Sequence, residues 1–241
     1  MTTSATLSIS VHPSSLGGYG QGLWAAGRKG AETSRLQCQL CGLPIAGDPL
    51  IFFRDGDRRH CDADNLVEAC PACVLVQGAG RLTAARESLP IWLPEMTQRG
   101  LNRLTSSLHE RAHTIGLPVD FSGPPREDSP ISRHILKIWA GLLDRWILLR
   151  ETAGIRTVTD VVDICLAHDP VRGTCPLRLV PGLRFLHRGR FYAGGQDVYP
   201  TFIARNRQFR EAAAPAAPLS ATATSPSASR PEPALAVRAV G

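Results

Sequence analysis

The clearest apolar periodicity lies in the middle of the chain, where two stretches repeat at helical spacing. Leu101, Leu104, Leu108, Ala112 and Ile115 form one stripe, which predicts a helix over 97–115 stopped by Gly116 and Pro118. Ile135, Ile138, Trp139, Leu142, Trp146 and Leu149 form a second, which predicts a helix over 131–152 with Ser132 as a cap and Gly154 beyond its end. Leu136, Leu143 and Ile147 widen that apolar face until it nearly encircles the helix. A face so wide implies burial, or cover by a partner. A third helix is predicted over 157–167, capped by Thr157. Strand signals are shorter. They fall at 7–11, at Leu50-Ile51-Phe52-Phe53 and at the extended, proline-bounded 90–94. Asp55-Gly56-Asp57 reads as a turn, 64–69 as a short helical turn and 120–130 as an irregular loop. From 212 onward the chain is mainly Ala, Pro, Ser and Thr. Such a tail buries too little to offset its ordering entropy and is expected to be disordered. These shifts divide the chain into 1–35 (partly strand and loop), 36–118, 119–210 (helical and basic) and 211–241.

Charge adds one feature. The net charge is +6, and between Arg172 and Arg210 eight arginines face a single acid, Asp197. Interleaved with Phe185, Phe191, Tyr192, Tyr199 and Phe202, this region suits nucleic acid, an acidic protein segment or an anionic membrane surface, or is simply a solvated face. The N-terminal residues show no basic and apolar leader pattern, and no run of 18 apolar residues occurs. The expectation is a cytoplasmic protein with reduced cysteines.

The cysteines carry the sharpest chemistry. Cys38, Cys41, Cys70 and Cys73 form two C-x2-C pairs separated by 28 residues. Two cysteines so spaced aim both sulfurs at one point across a tight turn. Two such knuckles supply the four thiolates of a tetrahedral zinc site, whose complete sulfur shell leaves no place for a reacting water. A dithiol redox pair or disulfides are the competing readings. His109-Glu110-Arg111-Ala112-His113 also spells the H-E-x-x-H of zinc proteases. No third histidine follows at a useful distance, and His109 and His113 share a face with Asn102 and Ser106, so a solvated helix face is expected there.

The second knuckle sits in Asp62-Ala63-Asp64-Asn65-Leu66-Val67-Glu68-Ala69-Cys70-Pro71-Ala72-Cys73. Here the chain resembles the HNH-endonuclease, treble-clef (ββα) superfamily. That resemblance implies an α+β fold with a zinc-fastened ββα core and helical C-terminal additions. The catalytic histidines are missing: the upstream strand reads Leu50 to Phe53, Val74 follows Cys73, and His60 lies in a charged loop. A longer match covers 38–104. Cys38-Gln39-Leu40-Cys41-Gly42, the segment from Asp62 to Cys73, Leu93-Pro94-Glu95-Met96-Thr97-Gln98 and Leu101-Asn102 resemble the IcmJ/DotN family of Dot/Icm (type IVB) secretion systems, with a fainter echo at Arg178-Leu179-Val180-Pro181. The resemblance implies a non-catalytic adaptor of the coupling complex. Such an adaptor grips the tail of the coupling ATPase and assists effector delivery from the cytoplasmic side of the inner membrane. An HNH-type nucleic-acid-binding protein or nuclease is the alternative. For the partner surface, the wide apolar helix with Trp139 and Trp146, together with Ile91, Trp92 and Leu93, are the candidates.

Overall fold

Six helices and four antiparallel two-stranded ladders make up the described residues of the computed structural model, which are 8–10, 37–45, 50–53, 62–80, 83–121, 129–168, 174–176, 181–193 and 195–213. In chain order the strands are β1 (Ser8–Ser10), β2 (Leu50–Phe53), β3 (Leu66–Ala69), β4 (Ser88–Trp92), β5 (Thr174–Pro176), β6 (Leu183–His187), β7 (Tyr192–Ala193) and β8 (Gln196–Asp197). The helices are α1 (Pro71–Gln77), α2 (Ala84–Glu87), α3 (Gln98–Thr114), α4 (Pro130–Ala153), α5 (Val158–His168) and α6 (Tyr199–Ala213). The fold is mixed α and β. The expected turn at 55–57 and His60 lie outside the described residues, as does 214–241; the tail expected from 211 begins inside α6.

The periodic helices lie where the pattern puts them. Thr97 caps α3 by accepting a hydrogen bond from the Gly100 amide, and Gly116 turns the chain away with a positive φ of 71°. In α4 the capping oxygen is that of Ser129 rather than Ser132, because the helix begins one turn earlier at Pro130, whose fixed φ suits a first helical position. Ser132 instead donates its backbone amide to that cap and is buried. Gly154 ends α4 in the left-handed region. The α5 cap is reciprocal: Thr157 Oγ1 accepts from the Asp160 amide while Asp160 Oδ2 accepts from the Thr157 amide. The helical turn expected at 64–69 is confined to a 3-10 turn at Ala63–Asn65, and Leu66–Ala69 is strand.

Ladders join segments that the sequence separates. β1 pairs with β5, β2 with β3, and β4 with β6 in the register Ser88 to His187, Pro90 to Phe185 and Trp92 to Leu183. Strands β5 to β8 lie in the region read as helical and basic, so the 36–118 and 119–210 segments share a sheet and a core. Gly182, at φ 91°, makes the turn into β6. Any Cβ there would meet the Trp92 ring at 2.6 Å, so the indole requires a glycine beside it.

Three apolar clusters fill the interior formed by the described residues. The first surrounds the four cysteines with Leu40, Ile45, Val67, Leu75, Phe191, Tyr199 and Ile203. The second joins α1, α2, α5 and β6 through Val76, Ala84, Val161 and Leu183. The third packs α3 and α4 on the β4–β6 ladder through Ile91, Leu93, Leu101, Leu108, Ile135, Trp139, Leu142 and Leu186.

Candidate metal centre

The first knuckle is a tight turn closed by its own backbone. Cys38 donates its amide to Leu43 O at 2.7 Å, and Gly42, at φ 74°, donates to Cys38 O at 2.7 Å. Cys41 folds back until its amide reaches Cys38 Sγ at 3.5 Å. The turn is tied down at both sides. Gln39 donates its amide to Glu68 O on β3, and Arg99 Nε on α3 donates to Leu40 O at 2.9 Å. The second knuckle straddles a helix start: Cys70 holds the capping position of α1 in extended conformation, Pro71 opens the helix, and Cys73 lies in its first turn.

These two turns bring all four sulfurs within 4.8 Å of one another, with every cysteine buried and Cys41 Sγ 3.6 Å from Cys70 Sγ. A tetrahedral ion with metal–sulfur bonds of about 2.3 Å sets sulfurs about 3.8 Å apart, so the cluster has the size such an ion requires. The electrostatics agree. Hydrogen bonds from Cys41, Cys70 and Cys73 pull the Cys38 thiol well below its ordinary range. The same network, Cys38 foremost, together with burial pushes Cys70 and Cys73 well above theirs. The protein alone thus favours a thiolate at Cys38 and protonated thiols at Cys70 and Cys73. Four thiolates together in this interior need a cation to balance them. The donor set, four soft sulfurs with no open position, fits a thiophilic tetrahedral ion.

One further group points at the cluster. Asn102, 1 % exposed on α3, donates its Nδ2–H to Cys73 Sγ at 3.2 Å. Neither Asn102 nor Gln98 beside it was expected to be functional from the pattern, because both lie on the polar face of a helix.

The remaining candidates fare differently. His109 is 0 % exposed rather than solvated: Tyr199, 90 residues downstream, covers it and shares a 2.8 Å hydrogen bond with Nδ1. The His187 ring stands 5.3 Å away and Phe121 and Trp139 lie against the other sides. Burial lowers the His109 pKa to about 3, opposed by the nearby Asp120 charge, and burial holds His187 well below its ordinary value too. His113 is half-buried, and among the described residues the four cysteines are the one group of three or more metal-ligating side chains close enough to share an ion. Asn65 is buried in the 3-10 turn before β3.

The surface proposed for a partner is corrected in part. Trp139, Ile91 and Leu93 are core, because β4 is sandwiched between β6 and α4 and the apolar stripe of α4 faces it. Trp92 is half-buried against Gly182. Trp146 is half-buried as well, its Nε1–H donated to Arg156 O at 2.8 Å and its ring under the Arg150 guanidinium. The apolar side chains that α4 leaves to solvent are Ile131, Ile147 and Leu148. The arginine-rich region also divides. Arg184 donates to Met96 O, and Arg190 pairs with Asp120 and reaches the Tyr192 hydroxyl, so both brace loops; Arg188 and Arg205 are exposed.

A comparison with models of known protein families finds no match for this chain, and a search of curated proteins finds none either.

Proposed function

We propose that this chain is a zinc-stabilised, non-catalytic adaptor of a type IVB secretion or conjugation coupling complex, built on an HNH-like treble-clef core. The observation that carries the reading is a convergence. Segments resembling the IcmJ/DotN pattern gather around the four cysteines: both knuckles, Val67 of β3 in the same apolar cluster, and Asn102 of α3, which donates to Cys73 Sγ and accepts from Gln98. The order of knuckle, β2–β3 pair and α1 bearing the second knuckle supports the reading of a ββα zinc core. Zinc is the ion this all-sulfur set suits best, and in a closed shell it fastens the chain without activating water.

In this reading the partner is the tail of the coupling ATPase, and attachment to the inner membrane runs through that partner. No helix among the described residues is long and apolar enough to cross a membrane. The exposed Ile147 and Leu148 of α4, beside Trp146, replace Trp139 as the residues proposed to meet the tail.

The test is co-purification of the tagged protein from native membranes, with metal analysis of the same sample. Recovery of the coupling ATPase with about one zinc per chain supports the proposal. Metal-dependent nicking of supercoiled DNA that disappears in Asn65→Ala would instead favour an HNH nuclease.

A further inference from the structure

The buried polar row of α3 connects the four cysteines to the edge of a sheet. β6 has β4 on one side, and on its other side Phe185 turns both backbone groups toward Gln98. The Phe185 amide donates to Gln98 Oε1 at 2.8 Å, and Gln98 Nε2 donates to Phe185 O at 2.9 Å. One side-chain amide thus stands in for a neighbouring strand, satisfying a buried donor and a buried acceptor. Gln98 Nε2 also donates to Asn102 Oδ1 at 2.8 Å, one turn along the helix, and Asn102 Nδ2 donates to Cys73 Sγ at 3.2 Å. All four residues are buried.

The direction of these bonds is fixed by the backbone. A peptide N–H only donates, so Gln98 must present its oxygen to Phe185 N. Its NH2 then serves Phe185 O and the Asn102 oxygen. With that oxygen occupied, Asn102 has only its NH2 to offer the sulfur, and neither amide can flip without leaving buried groups unpaired. The row therefore demands an acceptor at Cys73. A thiolate held on a metal is a strong one and a thiol is weak.

We propose that Gln98 and Asn102 form an amide relay in which Asn102 positions and stabilises the metal-bound Cys73 thiolate and Gln98 couples occupancy of the centre to β6. The proposal rests on the metal-centre reading above and deepens it. It gives a physical task to two residues of the Leu93-to-Asn102 motif, and it makes metal binding a condition for holding the edge of β6.

The experiment uses the full chain loaded with Co²⁺ as a spectroscopic stand-in, and with Zn²⁺. Asn102→Asp keeps the volume but replaces the donor with a carboxylate facing sulfur. Chelator-driven release is expected to be 10-fold to 100-fold faster, the usual effect of losing an outer-shell partner, and the sulfur-to-cobalt charge-transfer band is expected to move to lower energy. Gln98→Glu keeps an acceptor for Phe185 N–H but loses the donor to both Asn102 Oδ1 and Phe185 O, so a carboxylate oxygen faces that carbonyl and loosens the pairing at Phe185. It is expected to release metal several-fold faster and to exchange the Phe185 amide faster while still loaded. A wild-type chain that takes up neither ion overturns the centre and the relay together. Uptake by wild type with release and spectrum unchanged in Asn102→Asp overturns the relay alone. If Asn102→Asp does not fold, Gln98→Glu decides, and wild-type release and Phe185 exchange in that variant overturn the coupling.

Discussion

Helices α3 and α4 lie side by side and are buried in different ways. α4 buries one apolar stripe, Ile135, Trp139, Leu142 and Leu149, and leaves its opposite side to solvent. α3 buries an apolar row, Leu101, Leu108 and Ala112, and next to it a polar row, Gln98, Asn102, Thr105 and His109. The apolar row meets α4 and the sheet. The polar row meets Phe185, Cys73 and Tyr199, each from a different element. A buried apolar stripe is held by area alone and tolerates repacking, whereas a buried polar row is held only while each partner stays in place. The difference predicts that α3 depends on the metal centre and that α4 does not.

Removing the metal separates the two helices most strongly. Structural zinc binds isolated finger peptides with about 10–16 kcal/mol, which rivals the whole stability of a domain at about 5–15 kcal/mol. Cys38→Ser or Cys70→Ser is therefore expected to yield little soluble folded protein. Chelation of the wild type is expected to raise amide exchange first in α1, β3 and the Gln98–Asn102 turns of α3, and last in α4. A soluble double-knuckle variant that binds no metal and melts like wild type would remove the structural role of the centre. Equal loss of protection in α3 and α4 would remove the contrast between them.

Trp139→Ala tests the other mode. The indole is 7 % exposed and packs on His109 and Phe121. Truncation in such a site costs about 3–5 kcal/mol, and at about 2–4 °C per kcal/mol for a chain this size the thermal midpoint should fall by roughly ten degrees. The metal should remain bound, as measured by zinc content of the folded fraction. A midpoint unchanged in the free protein would return Trp139 to the surface.

These contrasts bear on what was legible in the sequence. The knuckles were readable because two sulfurs three residues apart converge through local turn geometry alone. Both long helices were readable from period, and Gly116 and Gly154 from their stop chemistry. The polar row of α3 was not, since Asn102 and His109 resemble a solvated face until Cys73 and Tyr199 arrive from 29 residues upstream and 90 downstream. β6 was hidden for a related reason. Leu183-Arg184-Phe185-Leu186-His187 interrupts its apolar residues with Arg184, which stays half-buried by donating to Met96 O, and with a buried histidine. Trp139 and Trp146 were read alike, yet β4, His109 and Phe121 cover only the first.

Acid should act on the polar row and spare the apolar one. His109 and His187 are held neutral in the folded chain, with His109 near pKa 3 against about 6.5 when unfolded. Between those values the unfolded state binds more protons, so stability falls as pH drops below 6.5, by about 1.4 kcal/mol per pH unit for one such group, and levels off near 3. Denaturant midpoints of the zinc-loaded protein at pH 7 and pH 5 check this. His109→Gln should show a shallower loss than wild type, and because ligand protonation affects both proteins, the difference between their slopes isolates the histidine. Parallel slopes would mean that His109 takes up its proton as readily in the folded chain as in the unfolded one.

The smallest stability change is expected on the outer side of α4. Ile147 and Leu148 are 36 % and 41 % exposed, so Ser removes far less buried area there than Ala removes at Trp139, which is 7 % exposed. Replacing both with Ser is expected to cost about 1–2 kcal/mol, below the loss at Trp139, and it leaves Trp139, Leu142 and the metal centre untouched. Exposed apolar side chains next to a half-buried tryptophan are a common basis for an interface anchor, so the same double variant is expected to weaken capture of the coupling-ATPase tail in a pull-down by 10-fold or more. The two readouts are independent. A midpoint lowered by only a few degrees with unchanged capture would remove this side of α4 as the proposed contact for an ATPase tail. A midpoint lowered by many degrees would show that α4 is buried on both sides in solution, and the contrast with α3 would then rest on the polar row alone.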